Sequence, residues 1–111
     1  MTRELEAMVI LTENHTLVSP GDLSGLVDLA VAAERGGAGA VMLSDHVCLG
    51  PEAGVLGRMR NPREYAAPGN QDPATAWPSS IVMAAAIAAK TTRVRIALAA
   101  LITPLRNPLV L

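Results

Sequence analysis

Ala40-Val41-Met42-Leu43-Ser44-Asp45-His46 joins a short apolar run to a titratable pair of side chains, and this stretch decides the fold class. It follows Gly36-Gly37-Ala38-Gly39, a glycine-rich stop that closes an amphipathic helical pattern. This order of helix, glycine stop, apolar strand and polar strand end is typical of a βα unit. Because ligands and chemistry gather at the carboxyl ends of parallel strands, Asp45 and His46 are the first candidates for a functional site.

The same alternation continues on both sides of this unit. Met8–Thr12 is short, apolar and without polar alternation, which predicts a buried strand. Ser79 is suited to cap an alanine-rich helix. The predicted elements are a strand at Met8–Thr12, a helix from the turn at 19–22 to the glycines at 36–37, a strand at Ala40–Ser44, a helix at Ser80–Lys90 and a strand at Val94–Ile102.

The order β-α-β-α-β favours a parallel sheet with right-handed helical crossovers. Pro108 fits the first turn of a further helix, and the sequence stops soon after it, at Leu111. Three parallel strands alone leave two edges and one sheet face uncovered. The pattern therefore predicts an α/β fold that is part of a larger one, cut after its third strand, and an isolated chain that self-associates.

Residues 45–78 form a long stretch rich in Gly, Pro, Asn and Arg, with little periodicity. Loops of this length are uncommon in compact domains and are usually functional or disordered. We interpret the stretch as an ordered excursion over the site, and a disordered linker is the alternative.

Composition excludes several classes of partner. The chain has 111 residues, half of them hydrophobic, and a net charge of −1, which gives no electrostatic reason to expect nucleic acid or an anionic membrane. Its single cysteine, Cys48, excludes an internal disulfide and fits a reducing compartment. Charges at Arg3, Glu4 and Glu6 argue against a signal peptide. The apolar stretches are too short to span a bilayer, so we expect a cytoplasmic protein.

Three blocks of the sequence carry a resemblance to a known family. They are Val41–Val47, Trp77-Pro78-Ser79-Ser80 before the alanine-rich helix, and Thr91–Ile96 together with Thr103-Pro104-Leu105-Arg106-Asn107-Pro108. In this order they resemble the luciferase-like monooxygenase superfamily. The Asp-His pair and the Arg-Asn-Pro turn are most similar to its deazaflavin-dependent branch, the oxidoreductases that use coenzyme F-420, and the stretches 61–65 and 68–73 resemble a subgroup of that branch.

The resemblance implies an eight-stranded (β/α) TIM barrel, a fold that takes about 250 residues. Residues 1–111 would supply strands one to three, with a long β2–α2 loop at about 45–78. The family's contacts to the flavin phosphate and ribityl chain come largely from later strands.

The resemblance also implies roles for the pair after the second strand. His46 would lie against the deazaflavin ring near the path of the hydride, where an imidazole exchanges protons readily. Asp45 would orient that imidazole or hydrogen-bond the ring. The alternative is a polar pair that only caps a strand end.

Further residues are implied to bind the cofactor. Ala99-Ala100 correspond to a place where the family has a non-prolyl cis peptide under the ring, and plain core alanines are the alternative. Arg106 would meet an anionic group bidentately, and a surface arginine paired with a loop carboxylate is its alternative. Asn14 and His15 end the first strand, or are ordinary loop polar residues. The implied cofactor-binding set is Ser44, Ala99, Ala100, Thr103, Arg106, Asn14 and His15.

Other conspicuous residues point less clearly to a site. Arg58, Arg60 and Arg63 would recognise an acidic substrate or be solvated loop charges. Trp77 is expected to pack at the start of its helix, and stacking on a ligand is its alternative. Cys48 has no partner base nearby in sequence. The glycines at 36–39 precede a strand, whereas a dinucleotide fingerprint follows one, and no spacing suggests a metal site.

The resemblance therefore implies the amino-terminal part of an F-420-dependent oxidoreductase that transfers hydride between coenzyme F-420 and a small organic substrate. Two alternatives stay open: an FMN-dependent monooxygenase of the same superfamily, and a truncated chain that is not an enzyme. We expect no nucleic-acid or membrane partner, and a homo-oligomer is left open.

Overall fold

The computed structural model describes residues 5–11, 17–19, 21–46, 77–107 and 109. Within them the chain forms strand β1, helix α1, strand β2, helix α2, strand β3 and a short 3₁₀ turn. Their bounds are Met8–Ile10 for β1, Leu23–Arg35 for α1, Ala40–Leu43 for β2, Ser80–Ala88 for α2, Arg95–Leu98 for β3 and Thr103–Leu105 for the turn.

The three strands form one parallel sheet in the order β1-β2-β3. Val9 lies opposite Val41, and Val41 lies opposite Ile96, so these side chains share one sheet face. The predicted α/β class, strand order and parallel pairing are thereby confirmed.

Helix α1 begins and ends where the sequence predicts. The Asp22 carboxylate caps it by accepting from Gly25 N–H at 2.9 Å. A Cβ on Gly25 would lie 2.4 Å from that carboxylate, so the capping geometry requires glycine there. At the other end Gly37 has φ +88°, the left-handed conformation that glycine adopts without strain.

Helix α2 is alanine-rich and ends earlier than predicted. It runs to Ala88, while Ala89 and Lys90 form a turn that is closed by hydrogen bonds to Ala85 and Ile87 carbonyls. Ser79 is the N-cap residue, as predicted, although its side chain makes no capping hydrogen bond.

Both helices pack on the same side of the sheet, because α1 contacts α2 and β2 while α2 also contacts β3. Val41 and Leu43 of β2 are fully buried against this helical layer. The core continues into both helices and into the residues that follow β1; its members are Leu11, Val18, Leu26, Ala30, Val41, Leu43, Met83 and Ile87.

The opposite face of the sheet is poorly covered. Met8 and Ile10 are 52% and 40% exposed, and Met42 beside Ile10 in the register is only half-buried. The uncovered apolar face that the pattern predicts is therefore present at β1.

A carboxylate ties α1 to the segment before β3, at the amino ends of the strands. Glu34 accepts backbone N–H bonds from Thr92 at 3.0 Å, Arg93 at 2.6 Å and Val94 at 2.8 Å. The N–H groups of Val94 and Arg93 hold the pKa of the Glu34 carboxyl below its ordinary value of 4.5.

The predicted third strand, Val94–Ile102, is too long by several residues. Pairing stops because β2 leaves the sheet after Leu43, whose carbonyl accepts from Ala99 N–H at 2.9 Å and offers no continuation. Leu98 is the last strand residue, and a turn follows at Ala99-Ala100. Strands β1 and β2 are likewise shorter than predicted, ending at Ile10 and Leu43.

Some predictions fall on residues outside the described part of the chain. These are Thr12 at the end of the predicted first strand, most of the long loop at 45–78 and the helix start at Pro108. Among the described residues, no helix is long and apolar enough to cross a membrane.

Candidate functional site

Polar residues gather where β2 and β3 end. Ser44, Asp45 and His46 follow β2 directly, while Ala99 and Ala100 follow β3 and lead into the turn at Thr103–Leu105. Because the two strands are parallel neighbours, both sets lie at the same edge of the sheet. Asn14 and His15 lie outside the described residues, so their predicted place at this edge stays a prediction.

Asp45 is the best-connected side chain at this edge. Its carboxylate accepts from Ile102 N–H at 3.0 Å, and Nη2 of Arg106 donates to both carboxylate oxygens, at 3.0 and 3.1 Å. The Asp45 side chain is only 3% exposed. It therefore links the end of β2 to the segment that follows β3.

These donors decide the protonation state of Asp45. Burial alone would raise the pKa of the Asp45 carboxyl, but Ile102 N–H and the Arg106 guanidinium hold the pKa below its ordinary value of 3.8. The Ser80 hydroxyl, buried beside it, adds to this lowering, although among the described residues it makes no hydrogen bond of ordinary geometry. Asp45 is thus a carboxylate at neutral pH and cannot donate a proton there.

Arg106 pairs with this carboxylate. Its guanidinium is 24% exposed and bound to Asp45, which is the loop-carboxylate alternative raised by the sequence. Its Nε is buried without a hydrogen-bond partner within the described residues. Contact with an anionic cofactor stays a prediction for Arg106, and it would have to share the guanidinium with Asp45.

His46 has a different neighbour. Its ring lies against the Trp77 indole, with ring centroids 4.2 Å apart and the planes tilted by 46°. The structure brings no Asp45 oxygen into hydrogen-bond contact with the imidazole, because those oxygens face Ile102 and Arg106. His46 as a residue is half-buried.

The turn after β3 begins with two small, exposed residues. The Ala99–Ala100 peptide is cis, as the resemblance implied, and both alanines are exposed rather than part of the core. Thr103 is exposed nearby in the 3₁₀ turn, whereas Ser44 is buried.

Two members of the site were missed by sequence reasoning. Ser80 was assigned only to helix α2, and Trp77 was expected to pack at the start of that helix. Both belong to the block Trp77-Pro78-Ser79-Ser80. A Trp-Pro pair directly before a helix is a signal for a restricted backbone at the tryptophan, because proline disfavours the helical conformation of the preceding residue.

A cavity of about 470 Å³ lies elsewhere, at the amino ends of the strands. Its charged groups are already engaged, Glu6 with Arg95 and Glu34 with the backbone before β3. We therefore place the candidate site at the carboxyl edge. Across the described ranges, no group of His, Cys, Asp and Glu is arranged to hold a metal ion.

Comparison with known proteins supports the sequence resemblance at the level of the family. No curated protein and no solved structure matches the chain significantly. Residues 7–111 match the profile of a family described as luciferase-like monooxygenase. That match spans almost the whole chain and the carboxyl edge just described, and the chain therefore belongs to the luciferase-like monooxygenase family.

Proposed function

We propose that this chain is the amino-terminal part of an oxidoreductase that transfers hydride between coenzyme F-420 and a small organic substrate. Family membership supports a flavin-type oxidoreductase. The observation that carries the finer assignment is the half-exposed His46 at the end of β2, beside the small, exposed Ala99-Ala100 turn at the end of β3. In the proposed site, a group able to exchange protons would lie next to the small residues against which a planar ring would bind.

The proposal includes the rest of the fold. Residues 1–111 would form the first three strands of an eight-stranded (β/α) barrel, with 45–78 as the β2–α2 loop over the site. The parallel β1-β2-β3 order and the single helical layer agree with such a segment. The uncovered sheet face at β1 would then line the barrel interior.

The residues present fit a deazaflavin. When bound, a deazaflavin would supply the redox chemistry, the exchange of a hydride with a carbon of the substrate. When the substrate is oxidised in that exchange, its second proton would pass to the imidazole of the half-buried His46. Asp45 holds the turn after β3 in place through Ile102 and Arg106. Ala99, Ala100 and Thr103 would contact the ring or its chain, with Ser44, Asn14, His15 and Arg106 completing the set.

The family description favours one competing function, an FMN-dependent monooxygenase that consumes O₂. The test is to express the protein from its complete reading frame and titrate it with F-420 and with FMN. We expect F-420 to bind and to exchange hydride without O₂. Preferential binding of FMN with O₂-dependent turnover would establish the competing function, and binding of neither would favour a chain that is not an enzyme.

A matched pair of variants tests the position of the cofactor. Ala99→Leu adds bulk at the exposed turn after β3 and should weaken cofactor binding about tenfold, which corresponds to ~1.4 kcal/mol of binding free energy. Ala88→Leu makes the same change at an exposed alanine that ends helix α2, away from the site, and should leave binding unchanged. Equal binding by both variants would move the cofactor away from the turn after β3.

A further inference from the structure

We propose that Trp77 is the positioning residue for His46: its indole fixes the imidazole that the proposed function uses. The catalytic consequence rests on that proposed function, whereas the contact itself is independent of it. The pairing follows from the structure, since sequence reasoning assigned the orienting role to Asp45.

The first step is the contact between the two rings. Their centroids are 4.2 Å apart at a tilt of 46°, which is at the close end of the range for aromatic pairs. The indole therefore covers one side of the imidazole and limits its rotation. His46 as a residue is half-buried.

The second step is that Asp45 is engaged elsewhere. Its oxygens accept from Ile102 and Arg106, and the structure places no hydrogen bond between Asp45 and His46. Within the described part of the chain, Trp77 is the side chain whose ring contacts the imidazole.

The third step is that Trp77 is itself held firmly. Pro78 restricts the Trp77 backbone to extended conformations. Three residues after Trp77, the fully buried Ser80 begins helix α2 and lies beside Asp45. The same tetrapeptide thus lies beside both Asp45 and His46 and joins the ring contact to helix α2.

The contact is tested first by fluorescence. Trp77 is the only tryptophan among the 111 residues and His46 is one of two histidines. An imidazole against an indole alters the indole emission, so His46→Gln should change the intensity and wavelength of the Trp77 emission at one fixed pH. Lys90→Gln, an exposed position in the turn after α2, should leave that emission unchanged. Unchanged emission in folded His46→Gln would overturn the proposal.

The positioning role is tested by turnover of the protein expressed from its complete reading frame. Trp77→Leu removes the aromatic face and should lower kcat about tenfold or more while KM changes little, because a small misplacement of a reacting group is costly. Trp77→Phe keeps an aromatic face and should restore most of kcat. Circular dichroism on both variants separates misfolding from mispositioning.

The outcomes separate this inference from the proposed function. If the Trp77 emission depends on His46 but the protein shows no F-420 chemistry, the proposed function fails and the contact stands. If F-420 turnover is normal in folded Trp77→Leu, the positioning role fails and the proposed function stands.

Discussion

At the end of β2, Asp45 and His46 are neighbours in sequence with different partners. His46 contacts Trp77 and stays half-exposed, while Asp45 is buried against Ile102 and Arg106. We therefore expect their variants to differ in kind. His46→Ala should lower hydride transfer by about 10²–10⁴-fold with little change in melting temperature, as expected for a general acid or base. Near-normal turnover in folded His46→Ala would exclude a catalytic role for this residue.

Asp45→Ala should act mainly on stability. It removes the acceptor of Ile102 N–H and of the Arg106 guanidinium, and hydrogen bonds to charged groups contribute about 1.5–3 kcal/mol each. Arg106 is partly exposed and recovers some hydration, so we expect a total loss of roughly 1–3 kcal/mol by denaturant unfolding. A variant with unchanged stability but lost turnover would mean that Asp45 acts on the cofactor directly.

The pH dependence of stability gives a second readout for Asp45. Its pKa in the folded protein lies below the ordinary 3.8, so the carboxylate stabilises the fold above that pH. The contribution is lost as the pH falls through the lower folded-state pKa. Asp45→Asn should therefore make the melting temperature fall less steeply as the pH is lowered below 3.8.

At the scale of elements, Glu34 connects α1 to the amino end of β3. Glu34→Gln keeps the size of the side chain but removes the charge that three successive N–H groups bind. We expect a lower melting temperature at pH 7 and a smaller loss of stability as the pH falls below 4.5, because the lowered pKa makes the carboxylate stabilising above that pH.

Asp28→Asn is the matched control for Glu34→Gln. Asp28 is an exposed acid on the same helix, and no polar contact of its side chain is present among the described residues. Asp28→Asn removes the same charge, but no group of backbone N–H donors loses its acceptor. Equal melting temperatures for the two variants would show that net charge, not the link to β3, accounts for the effect.

At the scale of the whole molecule, the parallel order β1-β2-β3 and both helices were predictable, because apolar runs, glycine stops and cap residues are local signals. The end of β3 was not predictable, because it depends on where β2 stops offering hydrogen-bond partners. The position of His46 at the carboxyl edge of the sheet was predictable from the ends of the predicted strands alone. The partners of Asp45 and the ring against His46 required contacts between residues more than thirty positions apart, which no local pattern encodes.

The uncovered sheet face leads to a prediction about assembly. Ile10 of β1 is 40% exposed and Met8 is 52% exposed, on a strand whose outer edge has no strand partner among the described residues, and apolar edges of this kind pair with other chains. We expect the 111-residue chain to self-associate at micromolar concentration, measured by light scattering. Ile10→Lys should reduce the association by placing a charge at that edge, whereas Leu5→Lys should not, because Leu5 is 98% exposed outside the sheet. A monomer that melts cooperatively without either substitution would show that this face does not drive association, and the barrel assignment would then need another explanation for its exposure.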